Sequence, residues 1–168
     1  SGPVKMPVAL VDVLTAHQLK EGILIALINR LANGKGSRVE VSLYDAAVAS
    51  LINQATNYLN VGHVAQRIGS LHPNIAPYGE LFQTKDKAYI TFAIGSNTHF
   101  TKLCDFLGLQ QLQADQRFAD NQNRVKNRQI LKEVLQEKIA QINCSELMGA
   151  MQQAFVPIGK IKQLDEVL

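Results

Sequence analysis

With 168 residues, the chain is long enough for one full domain or for two small pieces with separate cores. Its 46% hydrophobic and 18% charged content is that of a globular protein, and no apolar run reaches the roughly 18 residues of a membrane span. The net charge of +3 is spread along the chain, and its densest basic group, Arg124, Lys126 and Arg128, reads as a solvated helix face rather than a nucleic-acid surface.

Residues 13–32 are predicted to form a helix. Leu19, Ile23, Ala26, Leu27 and Arg30 repeat at three and four, while Leu24, Ile25, Ile28 and Leu31 fill much of the other side. A helix apolar nearly all round is expected to be buried on several faces. Asn33-Gly34-Lys35-Gly36 stops it, with Gly34 or Gly36 free to take the left-handed conformation of a C-cap. Residues 38–41 read as a short strand. Ser42 and Asp45 then give the S-x-x-D pattern that opens a second helix, running to about residue 59.

Between Asn60 and Pro77 the periodicity vanishes, and Gly62, Gly69, Pro73 and Pro77 mark a linker. The expected organisation is therefore a helical part over 1–60, a linker over 61–77 and a small α+β domain over 78–168. In that domain, residues 80–84 and 87–94 read as a hairpin around Lys85-Asp86, with Tyr89, Thr91 and Ala93 alternating against Ile90, Phe92 and Ile94. Helices are predicted at 97–108, 122–141 and 145–154, and a last strand within 156–161. The expected core comprises Phe82, Phe92, Phe100, Leu103, Phe106, Leu131, Leu135 and Phe155.

Chemistry is sparse. His17, His63, His72 and His99 show no ligand spacing with one another or with Cys104 and Cys144, so no metal site is expected. The two cysteines form no C-x-x-C pair and fit a reducing compartment. Asp12 stands between the apolar run at 8–11 and the first helix, which leaves two roles open. As an N-cap it would satisfy backbone N–H groups. As a nucleophile, held and aimed by the same N–H groups, it could attack an activated acyl carbon.

The run "PVALVDVLTAHQLKEGILIALINRLANGKGSRVEVSLYDA" resembles the middle of the class III CoA-transferases, which include formyl-CoA and carnitine CoA-transferases and alpha-methylacyl-CoA racemase. The matching positions are Asp12, Thr15, Ala26, Leu27, Arg30, Gly34, Gly36, Val39, Val41, Ser42, Asp45 and Ala46. Further on, "HPNIAPYGELFQTKD", "LCDFLGL", "RFADNQNRVKNRQIL" and "VPIGKI" resemble the family's small domain, in family order. Ala16 stands where the family usually has Gly, and Asp86-Lys87 where it often has Asp-Gly.

The resemblance implies an α+β chain made of a helical segment from a large Rossmann-like domain, followed by the small α+β domain. It implies that Asp12 is the catalytic residue, passing CoA from an acyl-CoA to a carboxylic acid acceptor through an aspartyl anhydride and an aspartyl-CoA thioester. Coenzyme A enters as substrate, with no metal; the CoA-contacting residues are left unassigned. A cytoplasmic enzyme is implied, interlocked as a homodimer at full length, with neither nucleic acid nor membrane as partner. The chain would then be a fragment, inactive alone, whose first helix is apolar all round because its neighbours are absent. Two other readings stay open: a racemase of 2-methylacyl-CoA on the same fold, and a catalytically silent interaction module.

Overall fold

In the computed structural model, which describes residues 5–168, the chain separates into two compact units, Ser1–Gln66 and Arg67–Leu168. The first is helical. Helix α1 spans Leu10–Asn33 and ends where Gly34 turns left-handed (φ 73°), its amide returning to the Arg30 carbonyl at 2.8 Å. Residues 35–42 follow with neither helix nor strand. Val39 lies against α1 at Gly22, where an added Cβ would come within 2.6 Å of a Val39 methyl.

The strand expected at 38–41 does not form. A strand needs a ladder, and among the described residues no other segment pairs with this one. Arg38 and Glu40 instead pair with each other across the exposed face.

Helix α2 (Leu43–Ala49) opens as the capping pattern requires: the Ser42 hydroxyl accepts the amides of Tyr44 and Asp45. The predicted continuation to residue 59 is broken into α2 and α3 (Ile52–Val61). The reason is local. The Ser50 hydroxyl donates to the Ala47 carbonyl at 2.7 Å, the Leu51 amide turns back to Val48, and Ile52 sits at a φ of 42°. Gly62, left-handed, ends α3.

The first unit has almost no core: Ala46 is its one buried apolar side chain among the described residues. Helix α1 buries nothing fully, and Leu31 is 88% exposed. The burial on several faces expected of this helix is therefore not seen: the described residues cover α1 only in part, Val39 packing at Gly22 among them.

The second unit has the core. Strands β1 (Tyr78–Gln83), β2 (Tyr89–Ala93) and β3 (Ile158–Lys160) form an antiparallel sheet in the order β1-β2-β3. Ile90, Phe92 and Ile94 point into the core, as the period-two alternation demands. On that face pack α4 (Asn97–Leu107), α5 (Gln111–Ala114), α6 (Asn121–Lys126), α7 (Arg128–Ile139) and α8 (Cys144–Gln153), contributing Phe100, Leu103, Leu131, Leu135, Leu147 and Met151. A 3-10 turn at Leu164–Glu166 closes the chain. The outer edge of β1 is satisfied by a side chain: the Gln136 amide donates to the Gln83 carbonyl and accepts its N–H, at 2.8 and 2.9 Å.

Four expectations need correction here. The helix predicted at 122–141 is two, because the chain turns at Asn127 (φ −106°). Phe155 is 83% exposed rather than in the core. It occupies the left-handed position (φ 55°) of the turn that ends α8, closed by Val156 N–H to Met151 O at 2.8 Å. That turn throws Phe155 outward and places Val156 inside. Phe106, also expected inside, is only half-buried against the core. The basic group is the fourth: Arg124 is fully buried and Arg128 largely so, because backbone carbonyls take up their guanidinium N–H groups.

The hairpin turn also ties down α8. Asn143 is the N-cap of α8 but its side chain makes no capping bond. Asp86 does that work from the turn, its Oδ1 accepting the Cys144 amide at 3.0 Å and the Thr84 hydroxyl at 2.6 Å. The Thr84 hydroxyl first, then the Cys144 amide, hold the Asp86 carboxyl below its ordinary value, and the Lys160 charge adds to them. A carboxyl depressed in the folded state adds stability above the unfolded pKa, near 3.8, and loses it as pH falls through the lower folded value. Urea midpoints of the wild type and Asp86→Ala should therefore differ by a constant amount from pH 5 to 7 and converge as the pH drops below about 4. A gap that widens on acidification would contradict this assignment.

Candidate active site

Asp12 is not the N-cap. That position is Ala9, which offers no side-chain bond, and Asp12 is the third residue of α1. The helix starts two residues before the carboxylate because Leu10 N–H already turns back to Val8 O at 2.8 Å, and Val13 N–H makes the first i→i−4 bond, to Ala9 O at 3.2 Å. The amides of residues 10–12 precede that bond, in the turn where negative charge is favoured. At the other end of this 24-residue helix, Arg30 stands in the last turn. Acid first and base last agree with the helix dipole.

The Asp12 side chain is exposed and accepts no hydrogen bond from the described residues. Its neighbours are committed elsewhere. The Thr15 hydroxyl donates to the Val11 carbonyl at 2.7 Å, and the His17 ring Nδ1 meets Lys20 Nζ at 3.0 Å. Four other residues of the motif have structural roles: Gly34 ends α1, Ser42 starts α2, Ala46 is buried and Val39 packs at Gly22. The Asp12 carboxylate makes no side-chain hydrogen bond among the described residues and serves α1 only through its place in the first turn. Among the described residues no group of three or more His, Cys, Asp or Glu could hold a metal ion, and no helix is long and apolar enough to cross a membrane.

Among the remaining sequence candidates for chemistry, Cys104, Cys144 and His72 belong to the second unit. Cys104 and Cys144 are both buried and unbridged; burial pushes the Cys104 thiol up to about 12, which makes it inert at neutral pH. His72 stacks on Tyr78 with ring centroids 4.8 Å apart, and burial followed by the Arg128 charge lowers its pKa.

The profile of CoA-transferase family III matches residues 1–168. The chain belongs to this family. A succinate–glutarate CoA-transferase of Agrobacterium fabrum is 33% identical over 165 residues, covering 98% of this chain and 41% of its own length. The human succinyl-CoA:glutarate CoA-transferase is 33% identical over 98% of this chain and 37% of its own. Among solved structures, a CAIB/BAIF family protein from Brucella suis is 37% identical with a TM-score of 0.68, over 99% of this chain and 44% of that one. A Mycobacterium tuberculosis protein is 29% identical with a TM-score of 0.82, over 99% and 43%. This family III chain therefore spans about two fifths of the length of the curated relatives it matches, and its fold is α+β, helices with a small antiparallel sheet.

Proposed function

We propose that this chain supplies the nucleophile of a CoA-transferase that moves CoA from an acyl-CoA to a carboxylic acid. The observation that carries the reading is Asp12: an exposed carboxylate in the first turn of a long helix, with no structural partner, within a chain that matches the family end to end.

The chemistry runs through acyl exchange on one carboxylate. Asp12 attacks the thioester carbonyl of the donor, forming an aspartyl–acyl anhydride and expelling CoA thiolate. The thiolate attacks the aspartyl carbonyl of the anhydride, releasing the donor's carboxylate and leaving an aspartyl-CoA thioester. The acceptor carboxylate attacks that thioester, forming a second anhydride and freeing the thiolate again. Thiolate attack on the acceptor's carbonyl then yields the new acyl-CoA and regenerates Asp12. A carboxylate suits both attacks on a thioester, because carboxylates as a class need no base to act as nucleophiles at neutral pH.

In this reading residues 1–60 belong to a large domain, 61–77 connect, and 78–168 form the small domain, in a homodimer of the whole enzyme. The chain by itself does not turn over, since positioning the thioester about 3–3.5 Å from the nucleophile needs groups that grip CoA. Relatives named for succinyl-CoA and glutarate make that pair the first substrates to try. In deuterated water, the enzyme that contains this chain should form glutaryl-CoA from succinyl-CoA and glutarate. Rapid α-carbon exchange of a 2-methylacyl-CoA, with no transfer to any carboxylate, would overturn the assignment in favour of a racemase.

A further inference from the structure

Residues 61–70 are exposed throughout, yet the chain immediately after them is gripped. Three side chains at a spacing of three and four, Asn121, Arg124 and Arg128, reach out of α6 and the start of α7 to the backbone of residues 72–76. Arg128 donates to the His72 carbonyl at 3.0 Å, to the Ile75 carbonyl at 2.8 Å and to Glu80 Oε1 at 3.0 Å. Asn121 donates to the Asn74 carbonyl at 2.7 Å and accepts the Ala76 amide at 3.2 Å. Arg124 donates to the Ala76 carbonyl at 3.0 Å, and its other nitrogens bind Phe118 O and Asn97 Oδ1, with the guanidinium 4.6 Å from the Phe100 ring centre.

The gripped segment also closes on itself. His72 N–H donates to Tyr78 O at 2.9 Å beneath the stacked rings of the two residues. Its apolar contribution is small: Ala76 and Pro77 are its buried side chains, whereas β1 and β2 are held by Phe82, Ile90 and Phe92 in the core. Apart from one further backbone bond, Ile94 N–H to Pro77 O at 3.1 Å, the segment is thus attached mainly by side-chain hydrogen bonds to its backbone, whereas the strands are held by apolar packing and their ladder. Parts attached in such different ways open with different free energies.

We propose that Asn121, Arg124 and Arg128 form a lock that holds residues 71–77 as a strap able to open as one piece, and that this lock sets where the connecting segment leaves the second unit. Arg124 is the anchored end of the lock, because Phe118 and Asn97 hold it from the core side. Arg128 and Asn121 are the fingers. The guanidinium fork matters at Arg128, since three acceptors in different directions cannot be met by the point charge of a lysine. This inference is independent of the transfer chemistry.

Native-state hydrogen exchange on the whole chain tests it. In the wild type, the amides of His72, Asn74, Ile75 and Ala76 should exchange at least about tenfold faster than those of β2, through an opening that depends little on denaturant. Arg128→Lys should raise strap exchange by a further factor of about ten and leave β2 and α4 unchanged; Asn121→Ala should act mainly at Ala76. Strap and β2 sharing one rate and one denaturant dependence in the wild type would overturn the proposal. So would an Arg128→Lys protein in which the strap is unaffected, or in which both regions loosen equally.

Discussion

Asp12→Ala should lower the rate of CoA transfer by the enzyme containing this chain at least about a thousandfold, the scale on which removing a covalent nucleophile acts. Folding should be nearly untouched, because Asp12 is exposed and makes no bond to the described residues. The loss of one acid from a helix N-terminus costs only about 0.3–1 kcal/mol. Activity and stability are therefore expected to separate cleanly, which a structural aspartate would not allow. Asp12→Asn is the sharper variant, since the amide keeps the shape but is not a nucleophile. Asp45→Ala is the control: that acid lies exposed in the first turn of α2 and should leave the rate within a few-fold. With donor acyl-CoA present, hydroxylamine should convert Asp12, and no other carboxylate, to its hydroxamate. Normal turnover by Asp12→Ala would end the proposal.

Gly79→Ala should be the most damaging small substitution in the second unit. Gly79 lies in β1 at a φ of 87°, where the register against β2 slips between Tyr78 and Leu81. A Cβ there would stand 1.9 Å from the Ser70 carbonyl oxygen and 3.2 Å from the Leu71 Cα. The obstruction is backbone, so it cannot swing aside, and the Ser70 hydroxyl bonded to Gly79 O at 2.6 Å holds it in place. Left-handed strain and steric overlap together should cost about 3 kcal/mol or more, lowering the melting temperature of a unit this size by about 10 °C or more. Gly108→Ala separates the two contributions. Gly108 is also left-handed (φ 66°) but meets open space, so it should cost only about 1 kcal/mol. Equal losses at the two glycines, read by thermal melting, would show that the close approach at Gly79 is not rigid.

Sequence alone determined what depends on near neighbours in the chain. Gly34 ends α1 and Ser42 caps α2 because a left-handed φ and a short hydroxyl act within one turn. The alternation of Ile90, Phe92 and Ile94 specified a strand with one buried face, and the family motif singled out Asp12. Tertiary structure decided what depends on partners distant in sequence. Residues 38–41 have strand composition but no strand to pair with. Arg124 and Arg128 look like a solvated basic face until the carbonyls of residues 72–76, some fifty positions away, come within reach. Asp86 caps a helix that begins 58 residues later. A charge pattern records how many donors a side chain carries, and only the fold brings the acceptors that decide whether those donors face water or the interior.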